Sequence, residues 1–198
     1  MRRLSTTVKI PEHIYIESTN YCNASCSICP NMKMHRERGT MSFDTFRIVV
    51  DQIKRIQHNN CNIYMHKEGE PLLDKHIVEK IMHIKTSLPK GNNIVLNTNA
   101  SMLNDEISRK LIQSGLDTIY FSLDSIIREK YTLLREGLNF NNVISNIKHF
   151  IQLNNKEGCK VKIILQMLTD DKSSNEIDEY RSYWEPFNVE IFVKQIHN

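Results

Sequence analysis

Short runs rich in β-branched and aromatic residues alternate along this chain with longer stretches of helical periodicity. The short runs are His13 to Glu17, Cys61 to Met65, Asn93 to Leu96, Thr118 to Leu123, Lys160 to Met167 and Val189 to Val193. Each predicts a strand, because branched and aromatic side chains suit a pleated, half-buried surface. The longer stretches repeat apolar residues three and four apart, which predicts amphipathic helices. Ser42 predicts a cap for a helix that turns Phe46, Val49, Val50, Ile53 and Ile56 inward. Asp74 does the same for Ile77, Val78, Ile81, Met82 and Leu88. Asn104 caps a third, with Ile107, Leu111 and Ile112 inward and Gly115 in the left-handed position past its end. A fourth helix runs from about Asn141 to Leu153, carrying Val143, Ile144, Ile147, Phe150 and Ile151. A fifth runs from about Ser174 to Trp184, carrying Ile177, Tyr180 and Trp184. All these stripes read as core-facing.

Strand followed by helix, five times, then a sixth strand calls for a parallel sheet with right-handed crossovers. A closed eight-stranded α/β barrel runs to about 250 residues. With 198 residues and six strands, the expectation is an α/β fold: a partial (β/α)6 TIM-like barrel of parallel strands, open on one side. One domain over residues 1–198 is expected, since the pattern is broken by no linker and no internal repeat. Chemistry in such folds gathers at the C-terminal ends of the strands. The segments directly after the strands are therefore where a site is expected.

Composition narrows the classes. Apolar residues make up 40% and charged residues 25%, which excludes a disordered, collagen-like or coiled-coil chain. Lys plus Arg number 26 against 23 Asp plus Glu, a net charge of +3, too mild to call for nucleic acid. No apolar run approaches the roughly 20 residues that cross a bilayer, so no membrane partner is expected. Arg2 and Arg3 lack an apolar region behind them, which leaves the cytoplasm as the expected compartment.

The five cysteines change the picture most. Cys22, Cys26 and Cys29 fall within eight residues, directly after the first strand. Their C-x3-C-x2-C spacing lets three thiolates converge from a compact loop onto a soft metal, zinc or iron–sulfur. A structural zinc site takes four protein ligands, with His35 available as the fourth. An iron–sulfur cluster held by three cysteines keeps one position open for a substrate or cofactor. Cys61 and Cys159 begin strands and read as buried, inert thiols.

At Cys22, Cys26 and Cys29 the sequence resembles the radical S-adenosylmethionine (SAM) superfamily, whose members carry C-x3-C-x-aromatic-C after the first strand of a partial α/β barrel. Ile28 stands where the aromatic is usual and can pack beside the adenine. Glu68-Gly69-Glu70-Pro71 resembles the family's Gly-Gly-Glu-Pro, whose backbone and Glu contact the SAM amino group; only Gly69-Glu70-Pro71 carries over. Thr98-Asn99-Ala100 resembles its Thr-Asn-Gly. Phe121-Ser122-Leu123-Asp124 ends the fourth strand, and alternation puts Ser122 and Asp124 on one side, near the ribose and carboxylate of SAM in the family. Leu134-Arg135-Glu136-Gly137 resembles the Arg-x-Gly of the peptide-modifying branch, where Arg135 is suited to a bidentate pair with the SAM carboxylate. The closest likeness is to the branch with a cysteine-rich C-terminal SPASM or twitch extension. Val193 to Asn198 resembles the run that leads into it, and no cysteine follows Cys159. An auxiliary-cluster domain is thus expected to be absent, whether the chain is a minimal form or a piece of a longer one.

The resemblance implies a [4Fe–4S] cluster on Cys22, Cys26 and Cys29, with SAM on the fourth iron. Gly69, Glu70, Ser122 and Arg135 would orient SAM, and Asn99, Asp124, Gln166 and Ile28 would assist. One electron entering the sulfonium breaks the C5′–S bond and yields a 5′-deoxyadenosyl radical, which abstracts hydrogen from a peptide or small-molecule substrate. The cofactors carry the hard chemistry and the protein orients them. Implied partners are an electron donor such as a flavodoxin or ferredoxin, and a homodimer mate or partner subunit over the open side. Tyr21, His66 and Lys67 are candidates on the substrate side. Two other readings stand beside this one. One is a Cys3His zinc-binding interaction module using His35. The other is a catalytically idle or truncated radical SAM fold that serves as a binding partner.

Overall fold

Six strands form one all-parallel sheet in simple sequence order in the computed structural model, which describes residues 11–56, 60–158, 160–169 and 174–195. The strands are β1 (His13–Tyr15), β2 (Asn62–Tyr64), β3 (Asn93–Thr98), β4 (Thr118–Ser122), β5 (Lys162–Thr169) and β6 (Glu190–Gln195). The helices are α1 (Phe43–Arg55), α2 (Ile77–Ser87), α3 (Asp105–Gln113), α4 (Arg128–Leu134), α5 (Phe140–Lys156) and α6 (Ser174–Trp184). The sheet does not close; β1 and β6 are its two edges. This is the open, partial barrel the pattern predicts.

Register across the sheet sorts side chains into two faces. Ile63 pairs with Ile94, Leu96 with Ile119 and Phe121 with Leu165, and all six are essentially buried. The other set holds Tyr64, Val95, Tyr120 and Ile164 and, nearer the C-terminal ends of the strands, Asn97, Ser122 and Gln166. A parallel sheet packed on both faces reads as a continuous apolar run. Here the second face turns polar at Asn97, Ser122 and Gln166, where it lines a cavity.

The predicted helices form with their inner faces largely as expected. Ser42 Oγ accepts from the Thr45 N–H, Asn104 Oδ1 accepts from the Ile107 N–H, and Gly115 has φ 87. Three details differ. Ile56 and Met82 point to solvent, Ile56 because α1 ends at Arg55 and Met82 because it lies at the edge of its stripe. Asp74 is no cap for α2, which starts at Ile77. Its carboxylate is buried and takes the Lys80 ammonium at 2.6 Å and the His76 N–H at 3.0 Å. Finally, α4 has only seven residues, too few for its periodicity to stand out in the sequence. Cys61 is buried as expected; Cys159 and the end of the Val193 to Asn198 run lie outside the described residues.

Candidate functional site

The loop that leaves β1 is shaped by a dense set of polar contacts. Gly69 comes so close to it that a Cβ there would lie 2.2 Å from the Thr19 carbonyl oxygen. The Glu70 N–H donates to Tyr21 O at 2.8 Å. Asn31, itself buried, donates from Nδ2 to both Asn20 O and Glu68 O, at 3.0 and 2.7 Å. Arg38 clasps the same turn, donating to Asn20 O, Asn31 Oδ1 and Asn31 O. Glu17 bonds the Glu68 N–H and pairs with Arg36. The charged stretch Lys33 to Arg38 looks like ordinary surface in the sequence. No spacing marks Asn31 or Arg38 as the staples they are.

Within this loop Cys22 and Cys29 are half-buried and Cys26 is buried, all as free thiols. They face a cavity of about 380 Å³. Of the expected site residues, Ile28, Gly69, Glu70, Asn99, Ser122, Arg135 and Gln166 also line it. His66 and Lys67 do as well, together with Thr98, Lys194 from the Val193 to Asn198 run, and Asn97, which carried no sequence signal. Tyr21 is not part of the wall; its hydroxyl reaches Arg38 O. Asp124 is fully buried behind the wall, where its carboxylate holds Arg135 and the Leu168 N–H, both residues of the lining.

Glu70 is buried and fully committed. Its carboxylate accepts from Thr98 Oγ1 at 2.6 Å, the Asn99 N–H at 2.8 Å and the Leu72 N–H at 3.0 Å. Burial pushes its pKa up, while these donors oppose the shift. It thereby locks the loop after β2 to the end of β3. Beyond it, Ala100 occupies the glycine place of the Thr-Asn-Gly motif with φ 61, a left-handed backbone that costs an L-residue about 1 kcal/mol.

The opposite wall is a relay of side chains from β3, β4 and β5. Ser122 Oγ donates to Asn97 Oδ1 at 2.7 Å, and Asn97 Nδ2 donates to Gln166 Oε1 at 3.3 Å. Gln166 therefore turns its own amide N–H groups toward the cavity. His66 Nδ1 accepts the Asn97 N–H at 3.0 Å, which fixes the neutral ring with its proton on Nε2. Burial first, and the Lys67 charge second, lower its pKa to about 4. An unfolded histidine titrates near pH 6.5. Between those values the unfolded chain holds more protons, so stability falls as pH drops through that window. The loss from this ring is expected to be about 3 kcal/mol. His66→Gln, which keeps an acceptor for the Asn97 N–H, should flatten that part of a urea-unfolding pH series. Parallel profiles for the two proteins would rule out a buried neutral ring.

Arg135 reaches the cavity from the turn after α4. Its Nε donates to Asp124 Oδ2 at 2.7 Å, and Nη1 lies 3.8 Å from Cys26 Sγ. Asp124 Oδ1 accepts from the Leu168 N–H. The edge of the fork expected to meet a SAM carboxylate is thus already engaged. Burial raises the pKa of Cys22 and Cys26, and the neighbouring Arg135 pulls that of Cys26 back down.

Two metal chemistries were open for these thiols. His35 is exposed. Among the described residues no three His, Cys, Asp or Glu side chains group closely enough for a single metal ion. The donor set is instead three soft sulfurs spread around a cavity, which fits a cluster whose irons take one thiolate each and which leaves one iron open.

An open parallel α/β barrel with three such cysteines after its first strand defines a class: iron–sulfur enzymes whose cluster keeps a place for a second cofactor. A sequence model of the radical SAM superfamily matches residues 16–174, and the chain belongs to that superfamily. It is an enzyme of the radical SAM class, with a [4Fe–4S] cluster and SAM as cofactors. Among curated relatives, it is 22% identical over 173 residues to the tungsten-containing aldehyde ferredoxin oxidoreductase cofactor-modifying protein of Pyrococcus furiosus, covering 87% of this chain and 48% of the relative. It is 27% identical over 168 residues to GTP 3′,8-cyclase of Clostridium acetobutylicum, covering 83% of this chain and 51% of the relative. The chain therefore spans about half the length of these relatives. In fold it is similar to SuiB of Streptococcus suis. The SAM-bound structure gives TM-score 0.72 at 20% identity over 96% of this chain and 41% of SuiB. The structure with precursor peptide SuiA gives 0.73 at 18% over 95% and 40%. Among the described residues no helix is long and apolar enough to cross a membrane.

Proposed function

We propose that this chain is one radical SAM core unit that starts hydrogen abstraction on a peptide side chain. The observation that carries the reading is the placement of Cys22, Cys26 and Cys29 on one cavity with Gly69, Ser122 and Gln166 on its other walls. When bound, the cluster and SAM supply a 5′-deoxyadenosyl radical. The protein's part is to hold, orient and exclude water. The three thiolates hold three irons. The backbone at Gly69, which lines the cavity, is placed for the SAM amino group. The amide of Gln166 and the hydroxyl of Ser122 suit ribose and carboxylate oxygens, Asn99 borders them, and Ile28 offers an apolar surface for the adenine. The SuiB structure with precursor peptide SuiA supports a peptide as substrate. A one-electron donor of the flavodoxin or ferredoxin type completes the system.

The test is anaerobic reconstitution of the chain with iron and sulfide, followed by EPR of the reduced protein with and without SAM and an assay for 5′-deoxyadenosine. A cluster signal that shifts with SAM, together with 5′-deoxyadenosine that disappears in Cys26→Ser, is the expected result. Stoichiometric zinc without a SAM effect would overturn the reading. A cluster that binds SAM and never cleaves it would leave an idle fold.

A further inference from the structure

Each of the three thiols receives one hydrogen-bond donor from the protein, and the donors differ in kind. Cys22 is bonded by the Ala24 backbone N–H. Cys29 Sγ accepts from the Asn31 backbone N–H at 3.5 Å. Cys26 Sγ alone faces a charged side chain, with Arg135 Nη1 at 3.8 Å.

The backbone builds this third contact. Ser25 N–H donates to Glu136 O at 2.8 Å, and Ser27 N–H donates to Leu134 O at 3.3 Å. These two bonds bracket Cys26 on the cysteine loop and Arg135 at the end of α4, and so hold the two residues side by side. Just past the pair, Gly137 takes φ 91, and a Cβ there would lie 3.2 Å from Asn23 O. The turn can thus sit close on the cysteine loop. The guanidinium is nine-tenths buried and is held at its other edge by Asp124, which the Leu168 N–H fixes in turn. Asp124 aims the guanidinium so that Nη1 points at sulfur.

Resting on the cluster reading above, we infer that Arg135 tunes the reduction potential of the [4Fe–4S] cluster by an N–H···S hydrogen bond to the Cys26 thiolate, with Asp124 as its positioning residue. Hydrogen bonds to the sulfurs, net charge and burial set the potential of such clusters. Reduction adds one electron from a low-potential donor and moves no proton, so the reduced cluster is the more negative state. A donor on sulfur stabilises that state more than the oxidised one, and the midpoint rises. This role differs from a grip on SAM, because it acts before SAM binds.

The test is an EPR-monitored redox titration of the reconstituted full chain without SAM. Arg135→Gln combined with Asp124→Asn removes both charges together and leaves no buried carboxylate unpaired. Its midpoint is expected to be more negative than that of the wild type. An unchanged midpoint, with SAM affinity reduced, would overturn the inference and give the arginine to the SAM carboxylate. A wild-type chain that loads no cluster would overturn the cluster reading itself. If the double variant does not load, pulsed EPR on the reduced wild type labelled with 15N-arginine decides. A 15N coupling that vanishes in Arg135→Lys supports the contact, and its absence from the wild type overturns it.

Discussion

Gly69→Ala is expected to cost about 3 kcal/mol and to leave the reconstituted chain nearly free of iron. The new Cβ would lie 2.2 Å from Thr19 O and 2.8 Å from Asn20 Cα, well inside van der Waals contact. Neither atom can step aside. Thr19 pairs with Thr40 across a bridge, and Asn20 O is already held by Asn31 and Arg38. The strain must be relieved by parting the two loops, which breaks the bond from the Glu70 N–H to Tyr21 O. Cys22 is the next residue along, so its sulfur moves away from those of Cys26 and Cys29. Gly39→Ala is the matched control, since a Cβ there meets nothing within 4 Å. Iron per chain and the midpoint of thermal unfolding, measured for both, check the expectation. Equal iron loading in the two variants would show that the close approach at Gly69 does not set the cysteine loop.

Lys80→Met should destabilise the chain by about 3–5 kcal/mol, the range for breaking a buried ion pair from one side. Lys80 and Asp74 are both fully buried, 2.6 Å apart. Lys80 Nζ also donates to Met41 O at 2.7 Å and lies 5.6 Å from the centroid of the Phe46 ring. Methionine would fill most of the volume. The Asp74 carboxylate would keep only the His76 N–H, and Met41 O would lose its side-chain donor. The pair joins the segment after Glu70-Pro71 to α1 and α2, so the site's second loop rests on it. Adding Asp74→Asn to Lys80→Met should recover at least about 1 kcal/mol, because the orphaned charge is gone. Urea unfolding of the single and double variants gives both numbers. A loss below about 1 kcal/mol in the single variant would mean that the cavity admits water to the carboxylate.

Periodicity along the chain was enough for the six strands, five of the helices and the parallel order, since each rests on local side-chain alternation and on where polar caps stand. The cysteine spacing narrowed the metal chemistry to zinc or iron–sulfur, because three soft ligands in eight residues leave few alternatives. Ser122, which alternation turns to one side of the fourth strand, lines the cavity. Asp124 is sealed under Arg135, a contact that no alternation records.

What the sequence by itself determined is therefore what depends on neighbours along the chain: the elements, their order and the clustering of three thiols directly after the first strand. Only the tertiary structure decided what depends on residues brought together from far apart. Asn31 and Arg38 become staples because buried carbonyls from two loops need donors. His66 becomes a fixed neutral donor because Asn97, 31 residues away, offers its N–H to one ring nitrogen. Arg135 turns from a free fork into a buried partner of Asp124 and Cys26 because the turn that ends α4, 109 residues from the cysteine, docks on its loop. Burial raises the cost of every unpaired polar group, and that cost, which no local pattern records, selects these contacts.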